Sequence, residues 1–188
     1  MKQLLFALTL LCGMSLAACA QSKNNRTMKE SSNVLVAYFS ATGTTARAAQ
    51  TLARVTGGEL FAIVPQEAYT GADLDWHDKQ SRSSVEMNDP KARPALKGKK
   101  EGMDGYDVVF IGYPIWWDAA PRIINTFIES HGLKGKRLIP FATSGGSGIA
   151  QSVKALRKQY PDLKWEDGRL LNRAGEADVR RWAEQLGL

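Results

Sequence analysis

A loop of small hydroxyl residues suits a phosphate group. Residues 40–45 read Ser-Ala-Thr-Gly-Thr-Thr and lie between an apolar segment, 33–39, and a segment with helical spacing, 46–55. Backbone N–H groups at a helix start attract anions, the hydroxyls add donors, and Gly43 allows close approach of the backbone. The loop has no lysine and no GxGxxG pattern, so it predicts a site for one terminal phosphate monoester. The alternative is a capped helix with a threonine-rich start.

Two further loops have the composition expected beside a flat ring. Residues 113–118 read Tyr-Pro-Ile-Trp-Trp-Asp, and residues 143–148 read Thr-Ser-Gly-Gly-Ser-Gly. The neighbouring side chains of Trp116 and Trp117 point in different directions, so one can pack inward while the other stacks on a planar ligand. The glycine-rich loop allows such a ligand to lie against the backbone. The alternatives are two tryptophans that cover the following helix, and a flexible turn.

The segments around these loops alternate in type and predict an α/β protein with a parallel sheet. Ligands of open parallel sheets bind beyond the carboxyl ends of the strands, so the three loops are expected at one edge of the sheet. Between the second and third strands lies a long insertion, 65–105, in which 73–87 could hold a helix and 89–100 predicts a surface loop. We predict strands within 33–39, 60–64, 107–112, 138–142 and 170–171, and helices within 46–55, 118–130, 149–160 and 176–186.

The three loops together resemble motifs of the flavodoxin family, in the order YFSATGTT, YPIWW and ATSGGSG. The resemblance covers about residues 33–187. It implies a three-layer α/β sandwich whose five-stranded parallel sheet has the order 2-1-3-4-5, with noncovalently bound FMN. The residues that the resemblance places around FMN are Ser40, Thr42, Gly43, Thr44, Thr45, Pro114, Ile115, Trp116, Trp117, Ser144, Gly145, Gly146 and Ser147.

Two features depart from the flavodoxin pattern. Many flavodoxins cover the flavin ring with a tyrosine of the third loop, and residues 143–148 contain none. Tyr69 or Trp76 of the insertion are the candidates to cover that face instead. Flavodoxins are usually acidic, whereas this chain of 188 residues has 25 Lys and Arg against 19 Asp and Glu, for a formal net charge of +6.

The resemblance implies that the flavin supplies the redox chemistry, and we expect no catalytic side chain. The favoured function is an electron-transfer protein that meets redox partner proteins at the exposed ring edge. One alternative is an FMN-dependent NAD(P)H:quinone-type oxidoreductase, with the insertion as a lid over a small quinone-like substrate. Another is a flavin-binding module without a redox role. His77 and His131 are too far apart in sequence to form a metal motif, and the sequence leaves the oligomeric state open.

The N-terminal segment predicts export. Residues 1–18 combine Lys2 with an apolar stretch too short to span a bilayer, and they end in small residues before Cys19. Leu-Ala-Ala-Cys at this point resembles the lipobox of bacterial lipoproteins, which implies cleavage before Cys19 and acylation there. The alternatives are an ordinary secretory signal and a true start at Met28.

The predicted organisation is therefore a signal peptide, 1–18, a lipid-anchored tether, 19–32, and an FMN-binding domain, 33–188. The lipobox resemblance implies an exported, membrane-anchored lipoprotein that faces the periplasm or the cell exterior. For such a domain, the basic charge predicts orientation on an anionic surface or an acidic redox partner rather than binding of nucleic acid.

Overall fold

The computed structural model describes residues 33–188. The predicted signal peptide, the predicted acylation site Cys19 and the predicted tether 19–32 lie outside the described residues. Within 33–188, no helix combines the length and the apolar character needed to cross a membrane.

Four parallel strands form the body of the sheet. The central ones are continuous apolar runs, buried on both faces, which is the usual pattern in parallel sheets covered by helices. Together with the outer strand they occupy the order 2-1-3-4-5, as the flavodoxin resemblance implies. The four strands are β1 (Val34–Tyr38), β2 (Glu59–Ala62), β3 (Val108–Pro114) and β4 (Arg137–Thr143).

Within residues 33–188, five α-helices accompany these strands. Four of them match predicted helices to within a few residues, and the remaining one, α2, is a short helix of the insertion. The third begins at Arg122 rather than at the predicted residue 118, because residues 116–119 form a tight turn and Pro121 precedes the helix. The five helices are α1 (Thr44–Thr56), α2 (Arg82–Asn88), α3 (Arg122–Ser130), α4 (Ala150–Gln159) and α5 (Glu176–Gln185).

Alternate residues of the central strands face two separate cores. Leu35 and Ile111 belong to the core that contains α3 and part of α4. Val36 and Phe110 belong to the core that contains α1 and α5, where Trp182 packs edge-on against Phe110 at a ring distance of 5.6 Å. This strand alternation produces the predicted three-layer arrangement of helices, sheet and helices.

The fifth position of the sheet holds two short strands instead of one. These are β5 (Lys164–Trp165) and β6 (Arg169–Leu170), and both pair with β4. The carbonyls of Leu138 and Ala142 accept hydrogen bonds from the segment that holds β5 and β6. Because alternate residues of a strand present their backbone groups to the same edge, Pro140 stands at this edge too, and proline has no N–H to donate. Gly168 lies opposite, where an added Cβ would stand 2.9 Å from the Pro140 carbonyl oxygen. The predicted strand at 170–171 is therefore only half of the fifth strand.

The insertion is a folded arm. Only residues 72–74 and α2 are helical within the predicted helix 73–87. Asp75 and Asp78 accept hydrogen bonds from nearby backbone N–H groups, which favours turns over a continuous helix. An antiparallel bridge between Pro65 and Leu96 closes the base of the arm.

Two side-chain contacts fasten the arm to α3, and a third lies within the arm. Arg93 makes a two-pronged ion pair with Glu129 of α3, at 2.7 and 2.8 Å. Arg122, also of α3, donates to the Met87 carbonyl at 2.8 Å. The Tyr69 hydroxyl donates to Glu86 inside the arm. The arm therefore has a defined position against α3.

Candidate functional site

The hydroxyl loop presents the start of α1 without a side-chain cap. Gly43 adopts a left-handed conformation, φ 85°, and its N–H donates to Ser40 Oγ at 3.1 Å. Among the described residues, no side chain accepts a hydrogen bond from the backbone N–H groups of the first turn of α1, so the capped-helix alternative is wrong. The N–H groups of that first turn have no partner within the helix and remain available to an anion.

A positively charged side chain that the sequence analysis did not single out, Arg47, lies beside this loop. Arg47 Nη2 donates to Thr44 Oγ1 at 3.4 Å, and an added Cβ at Gly43 would lie 3.7 Å from Arg47 Nη1. The helix therefore brings a guanidinium back over the loop from one turn further along the chain. Its signal in the sequence was an arginine four positions after Gly43, the spacing of one helical turn.

A buried hydrogen bond joins the first and third loops. Thr45 Oγ1 and Thr143 Oγ1 form a buried hydrogen bond. Because Thr45 stands in the first turn of α1 and Thr143 ends β4, this bond connects two loops that lie far apart in sequence.

The two tryptophans of the second loop take different positions. Trp116 and Ala119 exchange two backbone hydrogen bonds of 3.0 Å, which makes a two-residue turn. Trp117 and Asp118 occupy that turn with φ values of 45° and 59°. Left-handed backbone is uncommon for such residues and concentrates at functional sites. Trp117 leaves 49% of its surface exposed, whereas Trp116 is partly buried and packs against the core.

Tyr69 packs against Trp116. Its ring meets that of Trp116 edge-on at 5.4 Å, and Phe39 meets Trp116 in the same manner at 5.6 Å. The Arg82 guanidinium lies 4.0 Å from the centre of the Tyr69 ring. Burial is the main cause that raises the pKa of Tyr69, and the hydrogen bond to Glu86 adds to it. Tyr69 is thus a packed residue, and Trp76 is the exposed aromatic side chain of the arm.

Asn172 pins the glycine-rich loop. Its Oδ1 accepts from the Ser144 N–H at 2.7 Å, and its Nδ2 donates to the Ser144 carbonyl at 2.6 Å. Ser144 Oγ in turn accepts from the Gly146 N–H at 3.1 Å. The loop is therefore held in place rather than being a free turn. An added Cβ at Gly145 or Gly146 would meet no atom within 4 Å, so the backbone there has open space beside it.

Two adjoining cavities lie at this edge of the sheet and share Thr42, Pro114, Ile115 and Trp116 as walls. The first, which we name the loop cavity, measures about 740 Å³. Its other lining residues are Thr44, Thr143, Ser144, Gly145, Asn172 and Arg173. The second, the arm cavity, measures about 340 Å³. Its other lining residues are Ala41, Thr45, Leu74, Trp76, Ser83 and Trp117.

The cavities bring together most of the residues that the sequence singled out. Thr44, Ser144 and Gly145 line the loop cavity only, and Thr45 and Trp117 line the arm cavity only. The remaining predicted site residues line neither cavity. They are Ser40, Gly43, Gly146 and Ser147.

The parallel sheet with the order 2-1-3-4-5, the uncapped hydroxyl loop and the two loops beside it define a flavodoxin-like protein. A family model described as flavodoxin matches residues 33–186, and the chain belongs to that family. None of the curated proteins compared with the chain matches it.

Solved structures agree with this assignment. A candidate flavoprotein from Bacteroides eggerthii is 65% identical over 84% of this chain and 99% of its own, with a TM-score of 0.82. A second, from Bacteroides uniformis, is 56% identical over 81% and 98%, with a TM-score of 0.80. A flavoprotein from Lactobacillus acidophilus, solved in complex with FMN, shares the fold at 19% identity over 81% and 99%, with a TM-score of 0.64.

Proposed function

We propose that this chain binds FMN in the loop cavity and serves as an electron-transfer protein. The observation that carries the proposal is the uncapped start of α1, which opens beside the same cavity as the glycine edge of the third loop. The donors there suit one phosphate monoester: the free N–H groups of the first turn of α1, the hydroxyls of Thr42 and Thr44, and the Arg47 guanidinium. Arg173, at the wall of the cavity, adds a second positive charge.

The remaining walls suit a flat ring. Pro114, Ile115 and Trp116 offer one apolar side, and the open backbone at Gly145 lies at the other edge. Asn172 and the bond between Thr45 and Thr143 hold these edges at a fixed separation, which lowers the ordering cost of binding. The FMN complex of the Lactobacillus acidophilus protein, which shares the fold, supports the choice of ligand.

FMN, when bound, supplies one- and two-electron chemistry. The side chains around FMN would bind it, orient it and shield it from water. Among residues 33–188, the walls of the two cavities include no Asp, Glu, His, Cys or Lys side chain that could act as a general acid or base. This composition favours an electron carrier over an enzyme that moves protons with its own side chains.

The first experiment is a titration of refolded, flavin-free protein with FMN. We expect uptake without helper proteins, seen as quenched flavin fluorescence and a shifted flavin absorbance spectrum. The loaded protein is then mixed with NADPH and a quinone. Rapid bleaching by NADPH followed by turnover would contradict the carrier function in favour of the reductase, and absence of FMN uptake would contradict the proposal as a whole.

We also propose that the chain is exported and anchored through a lipid on Cys19. The lipobox resemblance of residues 16–19 supports this, and a basic domain so tethered suits an anionic surface or an acidic redox partner. Metabolic labelling with a fatty acid should mark the wild-type chain in membranes and leave Cys19→Ser unlabelled. Labelling of Cys19→Ser, or recovery of both forms in the soluble fraction, would contradict the anchor.

A further inference from the structure

We propose that the arm cavity binds a neutral, planar aromatic molecule of quinone size beside the flavin site. The inference rests on the proposed function, because it assigns FMN to the loop cavity and leaves the arm cavity for a second molecule. The two cavities share the wall of Pro114, Ile115 and Trp116, so an occupant of the arm cavity would lie next to the flavin.

Two exposed indoles converge on this cavity from different parts of the chain. Trp76 comes from the insertion and is 66% exposed, and Trp117 comes from the turn after β3 and is 49% exposed. Exposed apolar surface that faces one concave site is typical of a binding site. Indole faces favour flat aromatic partners through stacking.

The lining specifies the charge of the occupant. Every residue at the arm cavity is uncharged, in contrast to the loop cavity with Arg173. A molecule with several phosphates would therefore lose its hydration there without gaining an ionic partner. Thr42 and Ser83 line the same space, and hydroxyl side chains can donate hydrogen bonds to ring carbonyl oxygens. The chemistry points to a neutral quinone-like ring rather than to a nicotinamide dinucleotide.

The cavity is prebuilt. The arm that supplies its outer wall is fastened by Arg93 to Glu129 and by Arg122 to the Met87 carbonyl. The turn that carries Trp117 is held by the two backbone hydrogen bonds between Trp116 and Ala119. A cavity of about 340 Å³ between two fixed walls lies within the range of small-molecule sites, so the arm is a standing wall and need not close as a lid.

The test is calorimetric titration of 1,4-naphthoquinone into the full chain saturated with FMN. We expect saturable binding that Trp76→Ala weakens by about 3- to 10-fold, the effect of one lost aromatic contact. Trp117→Gly should weaken it similarly, and glycine is compatible with the left-handed backbone of that position. Val85→Ala, on an exposed side chain of the same arm that does not line the cavity, is the matched control and should leave binding unchanged.

Three results would overturn the inference. One is absence of naphthoquinone binding to the FMN-loaded protein. Another is competition between naphthoquinone and FMN, since the arm cavity would then belong to the flavin itself. The third is binding of NADP⁺ to the loaded protein that Trp76→Ala weakens as strongly as it weakens quinone binding. Because FMN uptake is measured beforehand, failure of the flavin site is recognised separately from failure of the arm cavity.

Discussion

The hydroxyl oxygens of Thr45 and Thr143 lie 2.8 Å apart in the buried space between the first turn of α1 and the end of β4. The two residues are 98 positions apart in sequence, and both side chains are almost fully buried. Each hydroxyl therefore depends on the other for its hydrogen bond, and the hydroxyl loop depends on the pair for its position relative to the third loop.

Replacement of either threonine by valine should destabilise the fold. Thr45→Val or Thr143→Val keeps the shape but leaves one buried hydroxyl without its partner, at a cost of about 1–3 kcal/mol in the free energy of unfolding. The double variant removes both hydroxyls and should cost less than the sum of the two. Denaturant unfolding of the flavin-free chains measures this, and strictly additive losses would show that the pair is not coupled.

Arg47 should distinguish FMN from riboflavin. Its guanidinium lies over the hydroxyl loop, so Arg47→Gln should weaken FMN binding by about 3- to 10-fold and leave riboflavin binding unchanged. The salt dependence of FMN binding should also become smaller. Arg54→Gln is the matched control, because Arg54 contacts a threonine in the same way at the other end of α1. Equal losses for both ligands would place Arg47 in the fold rather than at the phosphate.

Asn172 should act through the third loop. Asn172→Ala removes both hydrogen bonds to Ser144, so the affinities for FMN and riboflavin should fall together, by about 10-fold. Asn172→Asp keeps an acceptor for the Ser144 N–H but sets a carboxylate oxygen against the Ser144 carbonyl, and should be no better than alanine. Fluorescence titration measures both ligands, with Asn88→Ala at the exposed end of α2 as the control. Unchanged affinity in Asn172→Ala would contradict the pinning role.

The stability of the fold should fall between neutral and mildly acidic pH because of His131. The Lys100 N–H donates to His131 Nε2 at 2.9 Å, so the neutral ring carries its proton on Nδ1, which donates to the Phe127 carbonyl at 2.8 Å. Burial is the main cause that lowers the pKa of His131 below 6.5, and Lys99 contributes in the same direction.

The sign of the effect follows from proton binding. Below pH 6.5 the unfolded chain protonates this histidine while the folded chain resists, so stability decreases as pH falls toward the lowered pKa of the folded state. His131→Gln should flatten this part of the curve of melting temperature against pH. A slope in His131→Gln equal to that of the wild type would assign the effect to other groups.

The sequence was most informative where long apolar segments and short loops decide the structure. The continuous runs of β1, β3 and β4 and the three loops that follow them were predicted, because burial on both faces gives such strands a clear pattern. The outer strand was only half predicted, since two-residue pieces such as Lys164–Trp165 have no periodicity to detect.

The supporting role of Asn172 was missed, and Tyr69 was named only as a candidate to cover the flavin ring, for a different reason. Asn172 acts on Ser144 from 28 positions away, and the role of Tyr69 depends on its contact with Glu86 and its packing on Trp116. Such contacts depend on tertiary structure, and nothing in the local composition around Asn172 or Tyr69 indicates them. The position of Arg47 beside the hydroxyl loop could have been predicted, because its helical spacing from Gly43 is visible in the sequence.

The interruption between β5 and β6 also affects how molecules meet one another. A long, flat outer strand presents a row of unsatisfied N–H and C=O groups that can recruit the sheet of a second molecule. Here Glu166, Asp167 and Gly168 break that row after two residues, opposite a proline that offers no donor. The border of the sheet beyond β4 is therefore a poor template for edge-to-edge aggregation. The same interruption that made the outer strand hard to predict from the sequence protects this border against aggregation.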